Sequence, residues 1–163
     1  VDTHVNWIYV ANTQGNSVLV LSISTGALIG SPIAVGANPW GVTLDPVSHN
    51  IYVSNFGASS VSVISDATDT VVATVAVGSA PYMMEFDKAT NNVYVAVSGN
   101  SAATNNVTVI SAATNMATGT LPGGDGPYGI TLDAASATLY LTDHNAAPFV
   151  VSPAVGFVSV QKV

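Results

Sequence analysis

Three prolines are each followed directly by an aromatic residue: Pro39-Trp40, Pro81-Tyr82 and Pro127-Tyr128. Flat rings held near one another can stack on a sugar or on a planar organic ligand. Glu85 comes shortly after Tyr82, where the corresponding segments carry Thr43 and Thr131. A carboxylate that the surrounding pattern does not ask for can hold a cation or serve as a general base. Asn55, Asp143 and His144 add an amide, a second carboxylate and an imidazole, and Phe56 follows Asn55. Trp40, Tyr82, Glu85, Tyr128, Asn55, Asp143 and His144 therefore form the candidate ligand-binding set. No catalytic set and no metal-ligating set is assigned. The aromatic positions also fit a plainer role as packing residues of a repeat, and Met83 and Met84 fit gap-filling in a core.

Other chemistries are excluded by residue type. There is no cysteine, so thiol catalysis, disulfides and zinc ribbons are ruled out. The histidines, His4, His49 and His144, show no His-x-His or His-Glu-x-x-His spacing. No Gly-x-Ser-x-Gly elbow is present for a nucleophilic serine. Two lysines, no arginine and nine carboxylates leave a net charge of −7. So few cations cannot neutralise a run of phosphates, which argues against nucleic acid as a partner. They also argue against a polybasic membrane contact. No apolar run reaches the roughly 18 residues of a spanning helix, so no membrane insertion is expected. With 48% apolar residues the chain can still build a real core.

What must position the candidates is an internal repeat. Asn6-Trp7-Ile8-Tyr9-Val10-Ala11-Asn12 returns as Asn50-Ile51-Tyr52-Val53-Ser54-Asn55. It returns again as Asn92-Val93-Tyr94-Val95-Ala96 and as Thr138-Leu139-Tyr140-Leu141-Thr142-Asp143. The tyrosines are 43, 42 and 46 residues apart, and Asp2, Asp45, Asp87 and Asp133 each precede one at the same offset. Each unit divides into short runs rich in Val, Ile, Thr and Tyr, separated by turn signals. In the second unit these are Trp40 to Leu44, Asn50 to Ser54, Val61 to Ser65 and Thr70 to Val77. In the third they are Pro81 to Phe86, Asn92 to Val97, Asn106 to Ser111 and Met116 to Leu121. No segment has a 3.6-residue apolar period, so helix should be nearly absent. The repeated aspartates should end the first strand of each unit and accept backbone N–H bonds in the turn that follows.

Four strands in a unit of this length describe a propeller blade. The chain is therefore expected to be one all-β domain, 1–163, a β-propeller of about four four-stranded blades. The blades fall approximately at 1–36, 37–78, 79–124 and 125–163. With the strands of a blade named A (innermost) to D, the D–A and B–C loops share the face around the mouth of the central channel. Trp40, Tyr82, Glu85 and Tyr128 are expected at that mouth. Phe56, His144 and the longer loop Ser98 to Thr104 belong to B–C loops of the same face.

Tyr9-Val10-Ala11-Asn12 and Tyr52-Val53-Ser54-Asn55 are followed by Ser17-Val18-Leu19-Val20 and Ser60-Val61-Ser62-Val63. Val35-Gly36-Ala37-Asn38-Pro39 and Val77-Gly78-Ser79-Ala80-Pro81 form the junctions between units. Together these resemble the YVTN family of β-propeller repeats, over nearly the whole chain. The resemblance implies a bacterial or archaeal surface-layer, secreted or periplasmic protein, in a family that usually closes a full ring of seven or so blades. Related propellers include lactonase-like and lyase-like enzymes and redox-enzyme domains. The fourth unit departs from the pattern, with Leu141-Thr142-Asp143 and a degenerate stretch from Phe149 to Val163.

Asp2 aligns with the end of a strand A that the sequence does not contain. The chain starts at Val1 without a leader, as expected of a processed product or a piece of a longer protein. It should form a half-ring, either a fragment or a ring completed by a second copy, since a wet blade face is costly. The function expected is a non-catalytic, extracytoplasmic binding or assembly module of surface-layer type. Its partners would be a protein or a cell-surface glycan, with self-association or the remainder of a longer propeller. It would act outside the cell, at the cell surface or in the periplasm, without a cofactor. The alternative is a lactonase or lyase with Glu85 as base, His144 beside it and a divalent cation at the channel mouth.

Overall fold

A computed structural model describes Asp2, residues 5–99 and 104–144, and the backbone of 149–151. His4, most of the long loop (100–103) and the degenerate stretch from 152 onward lie outside the described residues.

Four antiparallel sheets follow one another along the chain. The first holds β1 (Trp7–Asn12), β2 (Ser17–Ser22) and β3 (Leu28–Ala34). The second holds β4 (Pro39–Asp45), β5 (Asn50–Asn55), β6 (Ser60–Ser65) and β7 (Thr70–Ala76). The third holds β8 (Pro81–Asp87), β9 (Asn92–Val97), β10 (Asn106–Ser111) and β11 (Met116–Pro122). The fourth holds β12 (Pro127–Asp133), β13 (Thr138–Asp143) and β14 (Phe149–Val151). Phe56–Ala58 forms a short 3-10 turn after β5. Asp2 forms an isolated antiparallel bridge to Trp7, ahead of a first sheet of three strands.

Turn chemistry sets these strands off. Asp45 accepts the backbone N–H of Val47 at 2.7 Å, and Asp87 and Asp133 accept those of Ala89 and Ala135 at 2.8 and 3.0 Å. Asn6, His49, Asn91 and Ala137 take left-handed backbone at the last turn position before β1, β5, β9 and β13. Asn tolerates that region better than most residues, which explains its recurrence there.

The sheets stack face to face. Period-two alternation gives each middle strand one tyrosine side and one branched-aliphatic side. Tyr9 packs in one cluster with Ile51 and Val53 of the next sheet. Tyr52 does so with Val93 and Val95, and Tyr94 with Leu139 and Leu141. Each buried aliphatic side chain contributes about 1.5–3 kcal/mol relative to exposure. Met84 joins the cluster between the second and third sheets, as a gap filler should. Met83 does not: it is exposed, so its expected core role is corrected.

The tyrosines also latch sheet to sheet. The Tyr52 hydroxyl donates to Asn115 at 2.7 Å, and the Tyr9 hydroxyl to Asp69 at 3.4 Å. Asn115 and Asp69 occupy the same place, the left-handed residue of the β10–β11 and β6–β7 turns. The first strands run in order about a common axis, with β1 against β4, β4 against β8, and β8 against β12.

Candidate functional site

The aromatic residues are aimed by a defect in strand pairing. Between β4 and β5 the register shifts from Pro39↔Asn55 to Val42↔Val53. The same shift separates Pro81 from Met84 and Pro127 from Ile130. Two residues of β4, Trp40 and Gly41, thus oppose the single Ser54 of β5, a bulge that re-aims the side chains within it. Those side chains are Trp40, Tyr82 and Tyr128.

The rings meet. Trp40 lies 5.8 Å from Tyr82 and 6.3 Å from Tyr128, edge to face in both cases. Tyr82 and Tyr128 are tilted, with centroids 4.4 Å apart. Phe56 joins from its loop, 5.1 Å from Tyr82 and 6.5 Å from Trp40. Three sheets thus supply one aromatic group at the axial mouth. Trp40 keeps 41% of its surface exposed.

Ser54 and Gly41 set the spacing behind Trp40. The Ser54 hydroxyl accepts the Gly41 N–H at 2.8 Å and donates to the Tyr82 carbonyl at 2.5 Å. A Cβ on Gly41 would come within 2.5 Å of that carbonyl. Thr142 and Gly129 repeat the first half of the device, the Gly129 N–H donating at 2.8 Å. The third sheet has Met83 and Ala96 in these places and lacks the hydroxyl.

The mouth loops are tied pairwise. Phe56 N–H donates to the Asn38 carbonyl, Ser98 N–H to that of Ala80 and His144 N–H to that of Gly126. His144 is therefore the backbone counterpart of Phe56, and its side chain is exposed. Asp143 beside it accepts the Asp125 N–H at 2.5 Å. Both sit on the rim next to β12.

Two candidates do not share this place. Glu85 lies roughly 10 Å farther along its strand than Tyr82, at about 3.3 Å per residue. It lines a hollow with Phe86, Asp87, Lys88, Ala89, Leu132 and Ala134, at the turn that follows β8. The expected position of Glu85 at the mouth is corrected: the strand carries it toward the opposite end. Burial pushes its carboxyl above the usual carboxylate range. Asn55 is fully buried, and its amide nitrogen donates to Ser60 at 3.1 Å and to Ser62 at 2.9 Å. A Cβ on Gly36 would sit 2.6 Å from the Asn55 side chain. Asn55 locks the β5–β6 corner, away from the surface of the aromatic group. Glu85, Asn55 and His144 thus form no single acid–base set.

A second grouping was not legible from spacing. Asp2, His49 and Asp66 each bring one ligand atom within 4.8 Å of the others. Two carboxylates and an imidazole are donors suited to a divalent cation. They lie beside Tyr9, away from the aromatic mouth. Burial and the charges of Asp69, Asp66 and Asp2 hold the Tyr9 hydroxyl well above the usual tyrosine range. The missing signal was Asp66, which belongs to a different turn from His49.

The architecture has counterparts among solved structures. The chain superposes on Kuenenia stuttgartiensis hydrazine synthase with a TM-score of 0.81 at 21% identity, covering 90% of this chain and 43% of that one. The fold is a β-propeller. A functionally unknown protein from Desulfotomaculum acetoxidans DSM 771 matches with a TM-score of 0.75 at 17% identity, covering 95% of this propeller chain and 53% of that one. The chain spans about half the length of the structures it matches. No family model matches the sequence, and no curated protein matches it. At these identities the likeness carries the propeller fold alone.

Proposed function

We propose that this propeller, read as a YVTN-type repeat, is a non-catalytic extracytoplasmic binding or assembly module. Its axial mouth takes a flat, weakly polar ligand face, such as the ring face of a cell-surface glycan. The convergence of Trp40, Phe56, Tyr82 and Tyr128 from three sheets carries this reading. Clustered aromatic rings with exposed surface can stack on the apolar face of a sugar. The near absence of cations and the Ser-, Thr- and Asn-rich loops also suit an exported protein with a neutral ligand.

The test is a screen against neutral oligosaccharides, followed by calorimetry on any binder. Trp40→Ala combined with Tyr128→Ala should lower affinity by about tenfold or more, at roughly 0.5–1.5 kcal/mol per aromatic contact. Unchanged affinity in the double variant removes the mouth as the binding site.

A further inference from the structure

The geometry points to a site for a zinc-like divalent cation between the first two blades, held by Asp2, His49 and Asp66. The inference is independent of the ligand at the mouth. Trp40 stands at the start of β4, whereas His49 belongs to the turn beyond its end.

Three separate segments build the cluster. Asp2 is tied to Trp7 by a backbone pair: the Asp2 N–H donates to the Trp7 carbonyl at 2.8 Å, and the Trp7 N–H returns the bond at 3.0 Å. His49 closes the turn between β4 and β5, and Asp66 follows β6. The Asp66 N–H donates to the His49 carbonyl at 3.2 Å, which holds these two turns of the second blade together. One ligand atom of each residue lies within 4.8 Å of the other two. His49 Nδ1 and Asp66 Oδ2 are 3.7 Å apart. Two ligands of one zinc ion stand roughly 3.5 Å apart at bond lengths of about 2.0–2.2 Å, so small side-chain rotations bring all three onto one ion. Asp2 and Asp66 are buried, while the His49 side chain is 37% exposed and gives an ion a way in. A buried carboxylate is stable where it meets a counter-charge, and a metal ion supplies one. The chain has no arginine, and its lysine Lys88 lines the hollow beside Glu85.

The scaffold does not ask for these residues. Asn6 and Asn91 hold the place of His49, and Ile23 and Ala112 that of Asp66, as the same N–H to carbonyl bonds from Ile23 to Asn6 and from Ala112 to Asn91 show. Asp69 aligns with Asn115 in the same way, through bonds to the Ser65 and Ser111 carbonyls. The interface of the second and third blades thus has Asp45, Asn91, Ala112 and Asn115 where the first has Asp2, His49, Asp66 and Asp69. One carboxylate becomes three, and an imidazole is added. Asp2 also differs from its counterparts. Asp45, Asp87 and Asp133 each accept a hydroxyl, from Ser48, Thr90 and Ser136. Val5 takes that place in the first turn and has no hydroxyl to give.

Two carboxylates and an imidazole suit an ion that accepts both oxygen and nitrogen, with a further position left to water. Calcium and magnesium favour all-oxygen sets. The ion pins the turns of the second blade to the segment ahead of β1, so its binding adds to the stability of the fold.

Calorimetry with zinc chloride on the chelator-stripped chain tests the site. The native chain should take up one zinc ion, prefer zinc to calcium and magnesium, and melt at a higher temperature once zinc is added. His49→Asn and Asp66→Ala each bring in the residue that the third blade carries, so both should keep the native circular dichroism. Each should weaken zinc binding by more than the roughly 10–100-fold that an outer-shell partner is worth, and should lose the zinc-dependent rise in melting temperature. Should either fail to fold, Asp2→Asn tests the same ligand set. His144→Asn removes an exposed imidazole at the mouth and should bind zinc as the native chain does. A native chain that binds no zinc, or that prefers calcium, overturns the proposal. So does full zinc affinity in a folded ligand variant. An equal loss in His144→Asn marks an adventitious ion only and overturns it as well.

Discussion

Trp40 and Tyr128 stand on the first and third of three successive blades, yet their rings lie 6.3 Å apart, edge to face. Tyr82 touches both from the blade between. Bulges at equivalent places in β4, β8 and β12 turn the three side chains toward the axis. The mouth is therefore a product of stacking: no blade alone holds more than a fragment of it.

Removing the Ser54 hydroxyl should loosen that convergence. Ser54→Ala leaves the Gly41 N–H and the Tyr82 carbonyl without their shared partner at a buried position. The expected loss is about 1–3 kcal/mol. Urea unfolding measures it, and a shift in tryptophan emission should report that Trp40 has moved. A variant as stable as the native protein would show that the bridge contributes nothing.

Gly41→Ala should be harmful for a different reason. The added methyl would approach the Tyr82 carbonyl to 2.5 Å, and backbone cannot swing away as a flexible side chain can. Overpacking of this sort costs about 1–3 kcal/mol. Gly119→Ala is the control, since a Cβ there meets nothing within 4 Å. The two substitutions should separate clearly in thermal unfolding.

Tyr52→Phe should cost about 1 kcal/mol by deleting the 2.7 Å bond to Asn115 while keeping the ring buried. Tyr9→Phe should cost less, because its bond to Asp69 is long at 3.4 Å. Burial and the charge of Asp45 push the Tyr52 hydroxyl up to about 12. An ultraviolet titration should therefore show at least one tyrosine that resists ionisation until strongly alkaline pH.

Mild acid should stabilise the fold. Burial raises the carboxyl groups of Glu85 and Asp69 above their usual values. A carboxyl that binds its proton more tightly when folded adds stability as pH falls through its folded pKa toward the unfolded value. Asp133 acts in the opposite direction, because the hydroxyl of Ser136 and the N–H of Ala135 hold it below the usual range. Its effect begins only at lower pH. The melting temperature should thus rise as pH falls from neutral toward the usual carboxylate range. Glu85→Gln should raise it at pH 7 and flatten the profile. A melting temperature that falls steadily over this interval contradicts the prediction.

Much of the propeller was legible in the order of residues. The strands expected at Asn92 to Val97 and Asn106 to Ser111 lie at those bounds, and the others differ by a residue or so at their ends. Period-two alternation and Asp, Asn and Gly at turns are local signals, so a local pattern suffices to place strands and pair neighbours. The aspartate turns after β4, β8 and β12 were readable on the same ground.

The tertiary structure decided what each side chain faces. Glu85 and Tyr82 are close in sequence, but the extended strand between them carries one to the mouth and the other toward the opposite turn. Asn55 looked available and is sealed under Gly36. Asp2, His49 and Asp66 come from three separate segments and were gathered by the stacking of the second sheet on the first. Tyr140 carries the same local pattern as Tyr52 and is exposed only because nothing described follows it in the stack. Hydrogen-bonded pairing within a sheet is encoded over a few residues. The angle and offset between sheets emerge from the packing of whole faces, and those decide which side chains meet.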